Sequence, residues 1–416
     1  MRRQRTPTGR RTLPTSSVRQ CGLHGAVLAL LLVTAGAGCD AATDADEPRS
    51  PVGVSGSGEP AAERVPPVRV TSNIADLNAA PIGQPVRITA TGGDLRAVTV
   101  KAADGTELAG AINDDAWELS ARLEPGTDYI ATAQAERSDG ELVTKVLMFH
   151  AQDLTLDQQT YPAVAPLAGE TVGVGMPVIV SFDLPVTEKA AFEEHMVVTS
   201  TPAQPGSWHW FSDHLVHWRP RTYWQAGTDV SVELDVNSVP AGNGIFGQES
   251  RTVGFHIGDA NIYKVNAQTH QMQVFSNGRQ LRTLPITTGK KGFTTRSGTK
   301  VIMEKFAEKR MNSETVGINR DDPEAYDIDD VKWAMRVTHS GEFIHAAPWS
   351  VGSKGRANVS HGCTGMSTAN AAWLYAMSKR GDVVEYSGTD RPMTLDNGYG
   401  DWNATFIDYK VGSALD

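Results

Sequence analysis

Short runs of alternating hydrophobic and polar residues recur along the chain, and turn-forming dipeptides separate them. Between residues 67 and 152 such runs include PVRITAT (Pro85–Thr91) and AVTVKAADG (Ala97–Gly105), with turn signals such as Gly92-Gly93 and Asp139-Gly140. Alternation with a period of two is typical of β-strands, and short strands with turns at this spacing are typical of a β-sandwich. The pattern therefore predicts a first sandwich over residues 67–152.

Residues 153–257 continue the pattern, for example in VIVSFDLPV (Val178–Val186) and VSVELDV (Val230–Val236). They predict a second sandwich with one short helix at Glu188–His195. The segment also holds closely spaced histidines and tryptophans: His209, His214, His217, Trp208, Trp210, Trp218 and Trp224. We interpret the histidines as hairpin residues rather than metal ligands. Trp208, Trp210 and Trp224 either fill the sandwich core, as such aromatics usually do, or bind glycan.

A new unit is predicted over residues 258–387. Asn277-Gly278 between two strand-like runs is a strong hairpin signal, and further strand-like runs follow at 298–305, 333–339, 341–347 and 382–387. The main helix of this unit is predicted over residues 368–380, with Ser367 as its N-cap and Gly381 at its C-cap. This domain is therefore β-rich with one main helix, and the tail, residues 388–416, is expected to pack back onto it as a C-terminal subdomain.

The N-terminus has the features of an export signal. Six arginines and no acidic residue precede an apolar run, Gly25–Gly38, that is shorter than a membrane span and ends at Cys39. Small residues before a cysteine resemble a bacterial lipobox, so residues 1–39 are predicted to be a lipoprotein signal peptide with Cys39 as the lipidated residue; simple secretion is the alternative. Residues 40–66 are rich in Ala, Gly, Ser, Pro and acid, and are predicted to be a disordered tether. The protein would then lie on the extracytoplasmic face of the plasma membrane.

Charge argues against a nucleic-acid partner. The formal net charge is −10, and removal of the six arginines of the signal would take it to −16. Binding to phosphate backbones requires lysine and arginine, and no basic stripe is present.

Cysteine usage draws attention to one residue. The chain has three cysteines, of which Cys21 lies in the predicted signal and Cys39 would carry lipid. Cys363 would then be a single thiol, which excludes a disulfide within the chain. Three roles are open to it: a nucleophile, a zinc ligand with His345 and His361, or an inert buried thiol.

A nucleophilic thiol needs a base or a neighbouring cation. His361 lies two residues before Cys363, and so short a connection leaves it little freedom to align with the thiol. We therefore favour His345, from a neighbouring strand, as the base. Gly362 leaves room for substrate, and amides around Gly362 and Cys363 are expected to face an oxyanion.

The run FIHAAPWSVGSKGRANVSHGCTGMS (Phe343–Ser367) resembles the signature of the L,D-transpeptidases: a histidine, 14 to 17 residues, then [ST]-H-G-C, a hydrophobic residue and asparagine. The spacing from His345 matches, as do Ser360, His361, Gly362 and Cys363. The wider context, in HWRPRTYWQAGTDV, NGIFGQE, KRGDVVE and GDWN, resembles the actinobacterial lipid-anchored type. The resemblance covers the chain from about residue 67 to its end.

The resemblance implies a fold and a reaction. The fold is mainly β, with two immunoglobulin-like β-sandwiches before an L,D-transpeptidase catalytic domain. Cys363 would attack the third residue of a peptidoglycan tetrapeptide stem and release D-alanine, and a second stem would accept the acyl group in a 3→3 cross-link. His345 would be the general base and later acid, oriented by the backbone carbonyl of Ala346. Substrate-binding or oxyanion roles are implied for Tyr326, Ser340, Gly341, Ser360, His361, Gly362 and Gly365. Carbapenem inhibition is implied, and no cofactor.

The chain departs from the signature at two positions. Thr364 stands where the hydrophobic residue is usual, and Gly365 stands where the asparagine is usual. We expect the N–H of Gly365, or another residue, to replace the lost side-chain amide. No metal is expected, because the loop that binds calcium in some relatives has Pro240 and Asn243 in place of acids. An L,D-carboxypeptidase that uses water as acceptor, and a non-catalytic wall-binding lipoprotein, remain alternatives.

Overall fold

The computed structural model describes residues 66–415, and over this range the chain is mainly β, as predicted. The predicted signal peptide, the lipidation site Cys39 and the tether up to residue 65 lie outside the described residues, as does Asp416. Between residues 66 and 415 no helix is long and apolar enough to cross a membrane.

The first sandwich consists of two four-stranded sheets, in the orders β1-β2-β6-β5 and β4-β3-β7-β8. Its strands are β1 (Arg69–Ser72), β2 (Arg87–Thr91), β3 (Gly93–Ala102), β4 (Glu107–Leu108), β5 (Gly110–Asn113), β6 (Ala116–Leu119), β7 (Asp128–Arg137) and β8 (Leu142–His150). Inward-facing residues such as Ile88 and Trp117 form the core, where the rings of Tyr129 and Phe149 stack with centroids 5.3 Å apart. The alternation in the sequence thus corresponds to the two faces of each sheet.

The second sandwich pairs a sheet of order β10-β12-β15-β14 with one of order β11-β19-β16-β13, and a small sheet β17-β18-β9 adjoins them. The strands are β9 (Gln159–Thr160), β10 (Pro162–Ala165), β11 (Thr171–Val172), β12 (Val178–Phe182), β13 (Met196–Thr201), β14 (Gly206–Ser212), β15 (Leu215–Pro220), β16 (Asp229–Leu234), β17 (Pro240–Gly242), β18 (Ile245–Gly247) and β19 (Arg251–Ile257). The short helix predicted here is α1 (Lys189–Glu193).

The tryptophans of this sandwich belong to its core. Trp208, Trp210 and Trp224 are only 6%, 9% and 2% exposed. Each indole N–H has a partner inside the fold: Trp208 donates to Met196 O, Trp210 to the Glu193 carboxylate and Trp224 to Met176 O. Side chains so enclosed cannot form a glycan-binding surface, so the core-filling interpretation is the correct one.

The histidines of the second sandwich have separate partners. His209 and His217 face each other across the β14–β15 hairpin, as predicted. The Nδ1 atoms of His209, His214 and His217 bond respectively to Tyr409 O, Phe182 O and the Asp401 carboxylate. The three imidazoles therefore serve three different contacts.

The third unit has a five-stranded sheet, β22-β21-β20-β28-β23, and a four-stranded sheet, β24-β25-β26-β27. Its elements are β20 (Asn261–Asn266), β21 (Gln271–Ser276), β22 (Arg279–Pro285), β23 (Gly298–Val301), β24 (Glu304–Asn312), β25 (Asp327–Arg336), β26 (Phe343–Ala346), β27 (Thr364–Met366), α2 (Thr368–Met377) and β28 (Val383–Ser387). The predicted Asn277-Gly278 turn joins β21 to β22, and both residues have positive φ. Leu374 of α2 packs into the core between the sheets.

Helix α2 is shorter than predicted. It begins after Ser367, whose side chain accepts from the N–H of Asn370, but it ends at Met377 instead of Arg380. The Ser378 hydroxyl bonds back to Leu374 O, and the N–H of Lys379 donates to the Asp382 carboxylate at 2.8 Å. These local bonds replace the last helical turn.

Gly381 turns the chain against the second sandwich, since a Cβ there would lie 2.7 Å from Gly173 N. Its positive φ of 92° therefore serves a close backbone approach and not the end of the helix.

The tail contacts both the second sandwich and the third unit. It contains α3 (Phe406–Lys410). The buried Asp401 accepts from His217 Nδ1 at 2.9 Å and from the Tyr409 hydroxyl at 2.8 Å. Asn403 bonds with both backbone groups of Thr299 in β23. The guanidinium of Arg219 lies 4.3 to 5.5 Å from the ring centroids of Trp402, Phe406 and Tyr409.

Candidate active site

Strand pairing brings Cys363 and His345 to one cavity. Strands β26 and β27 are parallel neighbours, and His345 is in register with Gly365, two residues after Cys363. Both side chains line a cavity of about 320 Å³, whose other walls include Tyr326, Ser360 and His361. The sheet thus brings together residues that are distant in sequence.

His345 is buried and held in one tautomer. Its Nδ1 lies 2.7 Å from Ala346 O, and since a carbonyl oxygen only accepts, Nδ1 must carry the proton. Nε2 is then free to receive one. Burial lowers the pKa of His345 to about 4, so the imidazole is neutral at pH 7.

Cys363 is an uncharged thiol at neutral pH. Burial raises its pKa to about 11, and the carboxylate of Glu342 acts in the same direction. Its Sγ lies 3.7 Å from Gly341 O, to which the thiol donates. A neutral thiol beside a neutral imidazole requires proton transfer to the base during attack, not a preformed thiolate.

His361 is held by groups other than the thiol. Its Nε2 bonds to the Glu324 carboxylate at 2.7 Å, and its ring packs against Phe293 and Tyr326. Lys290 Nζ also contacts Glu324, at 2.5 Å. The hydrogen bond from Lys290, followed by that from His361, lowers the pKa of Glu324. Glu324 was not predicted, because no motif marks an acid that folds back onto a residue 37 positions away.

The turn before Cys363 is fixed by hydroxyl groups. Ser360 Oγ donates to Cys363 O at 2.6 Å and accepts from the N–H of Gly362 at 3.1 Å. Thr295 Oγ1 donates to Gly362 O at 2.7 Å. The Gly362 amide is therefore occupied, contrary to the oxyanion role expected for it. The amide of Cys363 is the remaining donor of the predicted pair.

Of the other predicted substrate contacts, Tyr326 and Gly341 line a cavity next to Cys363, and Ser340 does not. Tyr326 lines the main cavity and a second one of about 160 Å³, which also opens on Cys363. Burial raises the pKa of Tyr326 to about 12, so its hydroxyl stays protonated. Gly341 lines the second cavity. Ser340 lines neither, and its N–H donates to the side chain of Asn397, so that amide is not available to a substrate.

Gly365 does not offer its N–H to a ligand. That N–H donates to Thr287 O, and Gly365 O accepts from the Thr287 N–H, both at 2.9 Å. The N–H of Gly365, which was expected to replace the missing asparagine amide, is therefore already hydrogen-bonded at the sheet edge.

A buried ionic cluster behind the thiol was not predicted from the sequence. Glu342, 5% exposed, binds Lys300 Nζ through one carboxylate oxygen and Arg296 Nη1, at 2.9 Å, through the other. Lys300 is fully buried, and burial lowers its pKa to about 8. Glu342 follows Gly341, so the cluster braces the backbone whose carbonyl accepts from Cys363.

Comparison with known proteins gives consistent matches. Residues 78–240 match the bacterial Ig domain family, and residues 260–385 match the L,D-transpeptidase catalytic domain. L,D-transpeptidase 2 of Mycobacterium tuberculosis is 33% identical over 365 residues, which cover 87% of this chain and 88% of that protein. L,D-transpeptidase 5 of the same species is 32% identical over 369 residues, covering 85% and 79%. A solved LD transpeptidase structure in complex with imipenem is 36% identical, covers 54% of this chain and 97% of that one, and has a TM-score of 0.49.

Proposed function

Because the chain belongs to the L,D-transpeptidase family, we propose that it forms 3→3 cross-links in peptidoglycan by cysteine acyl-enzyme chemistry. The observation that carries the proposal is the convergence of Cys363 and of His345, oriented through its Nδ1–H, on one cavity. The donor is a tetrapeptide stem, and the acceptor is the side-chain amine of a second stem's third residue.

During acylation the thiol proton of Cys363 moves first to His345 and then to the departing amine. The proton of Cys363 Sγ moves to His345 Nε2 as sulfur attacks the carbonyl carbon of the donor's third residue. The amide N–H of Cys363 is the proposed donor to the oxyanion. When the tetrahedral intermediate collapses, the C–N bond to D-alanine breaks and the imidazolium gives its proton to the departing amine. The products are a thioester on Cys363 and free D-alanine.

Deacylation reverses the proton path. The acceptor amine attacks the thioester carbon, His345 takes a proton from the attacking nitrogen, and the C–S bond breaks as Sγ regains a proton. The Ala346 carbonyl stabilises the imidazolium in both steps, because it accepts from Nδ1. Tyr326 and the two cavities that it borders are proposed to hold the stems on either side of the thiol.

The purified protein with disaccharide-tetrapeptide provides the test, with products analysed by mass. We expect a dimer together with released D-alanine, no product from Cys363→Ala, and at least a hundredfold lower rate from His345→Ala. Tripeptide without dimer would identify an L,D-carboxypeptidase. Absence of both products would leave the non-catalytic wall-binding lipoprotein.

The same thiol is proposed to react with carbapenems. Attack of Sγ on the β-lactam carbonyl breaks the ring C–N bond, and the ring nitrogen takes the proton, so the adduct has the mass of protein plus intact inhibitor. Imipenem should therefore add its full mass to the wild type. A mass increase in Cys363→Ser would show that the label is elsewhere.

For the envelope location we propose lipidation at Cys39, supported by the arginine-rich start and the apolar run before it. Cys39→Ala should move the protein from the membrane fraction to the soluble fraction of cells. Membrane retention of that variant would contradict the anchor.

A further inference from the structure

Lys354 is a half-buried cation beside the active-site cavity. It lies in the loop that follows β26, and its Nζ donates to Ala347 O at 2.6 Å and lies 3.4 Å from Ser350 Oγ. Among residues 66–415 no carboxylate pairs with it. Burial lowers its pKa, and its charge contributes to the lowered pKa of His345. An ammonium in this position lacks an anion.

Ser350 connects this cation to the cavity. Ser350 lines the cavity together with Cys363 and His345. Its hydroxyl donates to Ala347 O at 3.3 Å, a long bond that a better acceptor can displace. Ser350 is therefore a polar group on the cavity wall with a cation directly behind it.

The same corner is where the chain departs from its family signature. A Cβ built on Gly365 would lie 3.0 Å from the Cβ of Ala347, 3.1 Å from Thr287 Cγ2 and 4.0 Å from Ser350 Oγ. A side chain at position 365 would thus crowd Ala347 and Thr287 and narrow the cavity next to Ser350. The glycine keeps this corner of the cavity free of a side chain, and its own N–H is committed to Thr287.

We propose that Ser350, with Lys354 behind it, binds a carboxylate of the donor stem in the corner that Gly365 leaves open. The ammonium of Lys354 donates to Ala347 O and to Ser350 Oγ, so it strengthens the Ser350 hydroxyl as a donor and places a positive charge close to the anion. This inference rests on the proposed function. The third residue of the donor is a diamino diacid, so its side chain ends in a carboxyl group beyond the attacked carbonyl.

A hydroxyl backed by an ammonium distinguishes two forms of that carboxyl group. The free carboxylate accepts charge-assisted hydrogen bonds, which are stronger than those to a neutral carboxamide. The carboxamide would also leave the ammonium without a counter-ion. The enzyme should therefore prefer donors with a free side-chain carboxylate over donors in which it is amidated.

The test compares disaccharide-tetrapeptides whose third residue has a free or an amidated side-chain carboxyl. Binding is measured by calorimetry in the Cys363→Ala background, and kcat and KM are measured with Cys363 intact. We expect the free acid to bind about tenfold or more tightly than the amide. Lys354→Met should remove the difference by weakening the free acid alone, Ser350→Ala should reduce it, and Lys354→Arg should keep most of it.

Two controls separate recognition from a structural role. Lys264→Met removes a lysine on β20 that pairs with Glu385 away from the cavity, and it should bind both donors as the wild type does. If Lys354→Met weakens both donors equally, Lys354 only supports its loop and the inference is overturned. Equal affinity of the wild type for both donors overturns it as well. If the wild type binds the free-acid donor more tightly than the amide but turns over neither, the carboxylate site is supported and the transpeptidase function is refuted.

Discussion

The thiol of Cys363 is half-buried and the imidazole of His345 is buried, and desolvation shifts their pKa values in opposite directions, to about 11 and about 4. Each shift favours the neutral form. The resting pair is therefore thiol and imidazole, and in the proposed mechanism the charged pair forms only as substrate is attacked. This protects the thiol from oxidants, which react with thiolates.

Alkylation by iodoacetamide between pH 6 and 10 tests the state of Cys363. At neutral pH the thiolate fraction should be about a hundredfold lower than for a thiol with the unshifted value of 9.0. The alkylation rate of the Cys363 peptide, followed by mass spectrometry, should rise about tenfold per pH unit up to pH 10. N-acetylcysteine should level off near pH 9. A plateau for Cys363 below pH 8 would mean a preformed thiolate.

His345 should make folding sensitive to acid. Its folded pKa of about 4 lies below the ordinary value of 6.5, so the unfolded state binds the proton first. Stability from the neutral imidazole is complete above pH 6.5 and is lost as pH falls toward 4, by on the order of 3 kcal/mol. Urea unfolding at pH 7.5 and pH 4.5 should show a smaller difference for His345→Gln than for wild type. An unchanged difference would contradict this assignment.

Sequence singled out Cys363 and His345, which the fold brings to one cavity, but not the groups that surround them. Cys363 and His345 could be predicted because the spacing between them is part of a signature. The occupied amides of Gly362 and Gly365 could not, because hydrogen-bond partners such as Thr287 are chosen by sheet register. Glu324 could not either, because its approach to His361 depends on the path of a long loop.

At the scale of elements, the parallel pairing of β26 and β27 positions Cys363, the proposed nucleophile, and the Glu342 cluster supports the segment between Thr338 and β26. The N–H of Glu342 donates to Thr338 Oγ1 at 2.8 Å, while its carboxylate holds Lys300 and Arg296. The backbone that faces the thiol is thus fixed by a buried charge network. Such networks are costly to break from one side.

Removal of Lys300 should destabilise the catalytic domain. Lys300→Met leaves the buried Glu342 with one cation, at an expected cost of about 3–5 kcal/mol in urea unfolding at pH 7. The double variant Lys300→Met, Glu342→Gln should lose less, because it removes the uncompensated charge. Lys264→Met serves as the matched control and should change stability by less than about 1 kcal/mol. A double variant as unstable as the single would refute the charge argument.

Periodicity predicted the strands better than the helix end. Most alternating runs became strands close to their predicted positions because burial of one face follows directly from the sequence. The run predicted at 333–339 is the exception, since β25 spans Asp327–Arg336. The end of α2 was misplaced because Ser378 and Asp382 form local bonds that compete with the last turn. Gly381 was assigned to the helix end, but its conformation serves contact with Gly173.

At the scale of the whole molecule, the two sandwiches are attached differently. The first meets the second through contacts such as those of Arg122 with Asn237 O and Asp235 O, both at 2.7 Å. The second shares backbone hydrogen bonds with the catalytic domain, from Gly173 N to Arg380 O and from Gly175 N to Gly381 O. The tail adds the buried contacts of Asp401.

Two deletions should therefore differ in outcome. A chain lacking residues 66–152 should keep a melting temperature close to that of the full chain and react with imipenem at a similar rate. A chain lacking residues 66–257 should melt at least 10 °C lower, because it exposes the face that holds Gly381 and Tyr409 to water. Thermal melting and adduct mass measure both effects. Equal melting temperatures for the two would contradict the distinction.

The backbone contact between Gly173 and Gly381 also limits how such chains can diversify by recombination. Even a Cβ at Gly173 would lie 2.2 Å from Asp382 N, so both sides of this junction must be inherited together. A crossover near residue 155 joins parts that meet mainly through side chains, and it can supply a new outer module. A crossover near residue 258 separates the second sandwich from the catalytic domain, whose backbones are fitted to each other at Gly173 and Gly381. Lineages should therefore exchange the first sandwich freely, and the second only together with its catalytic domain.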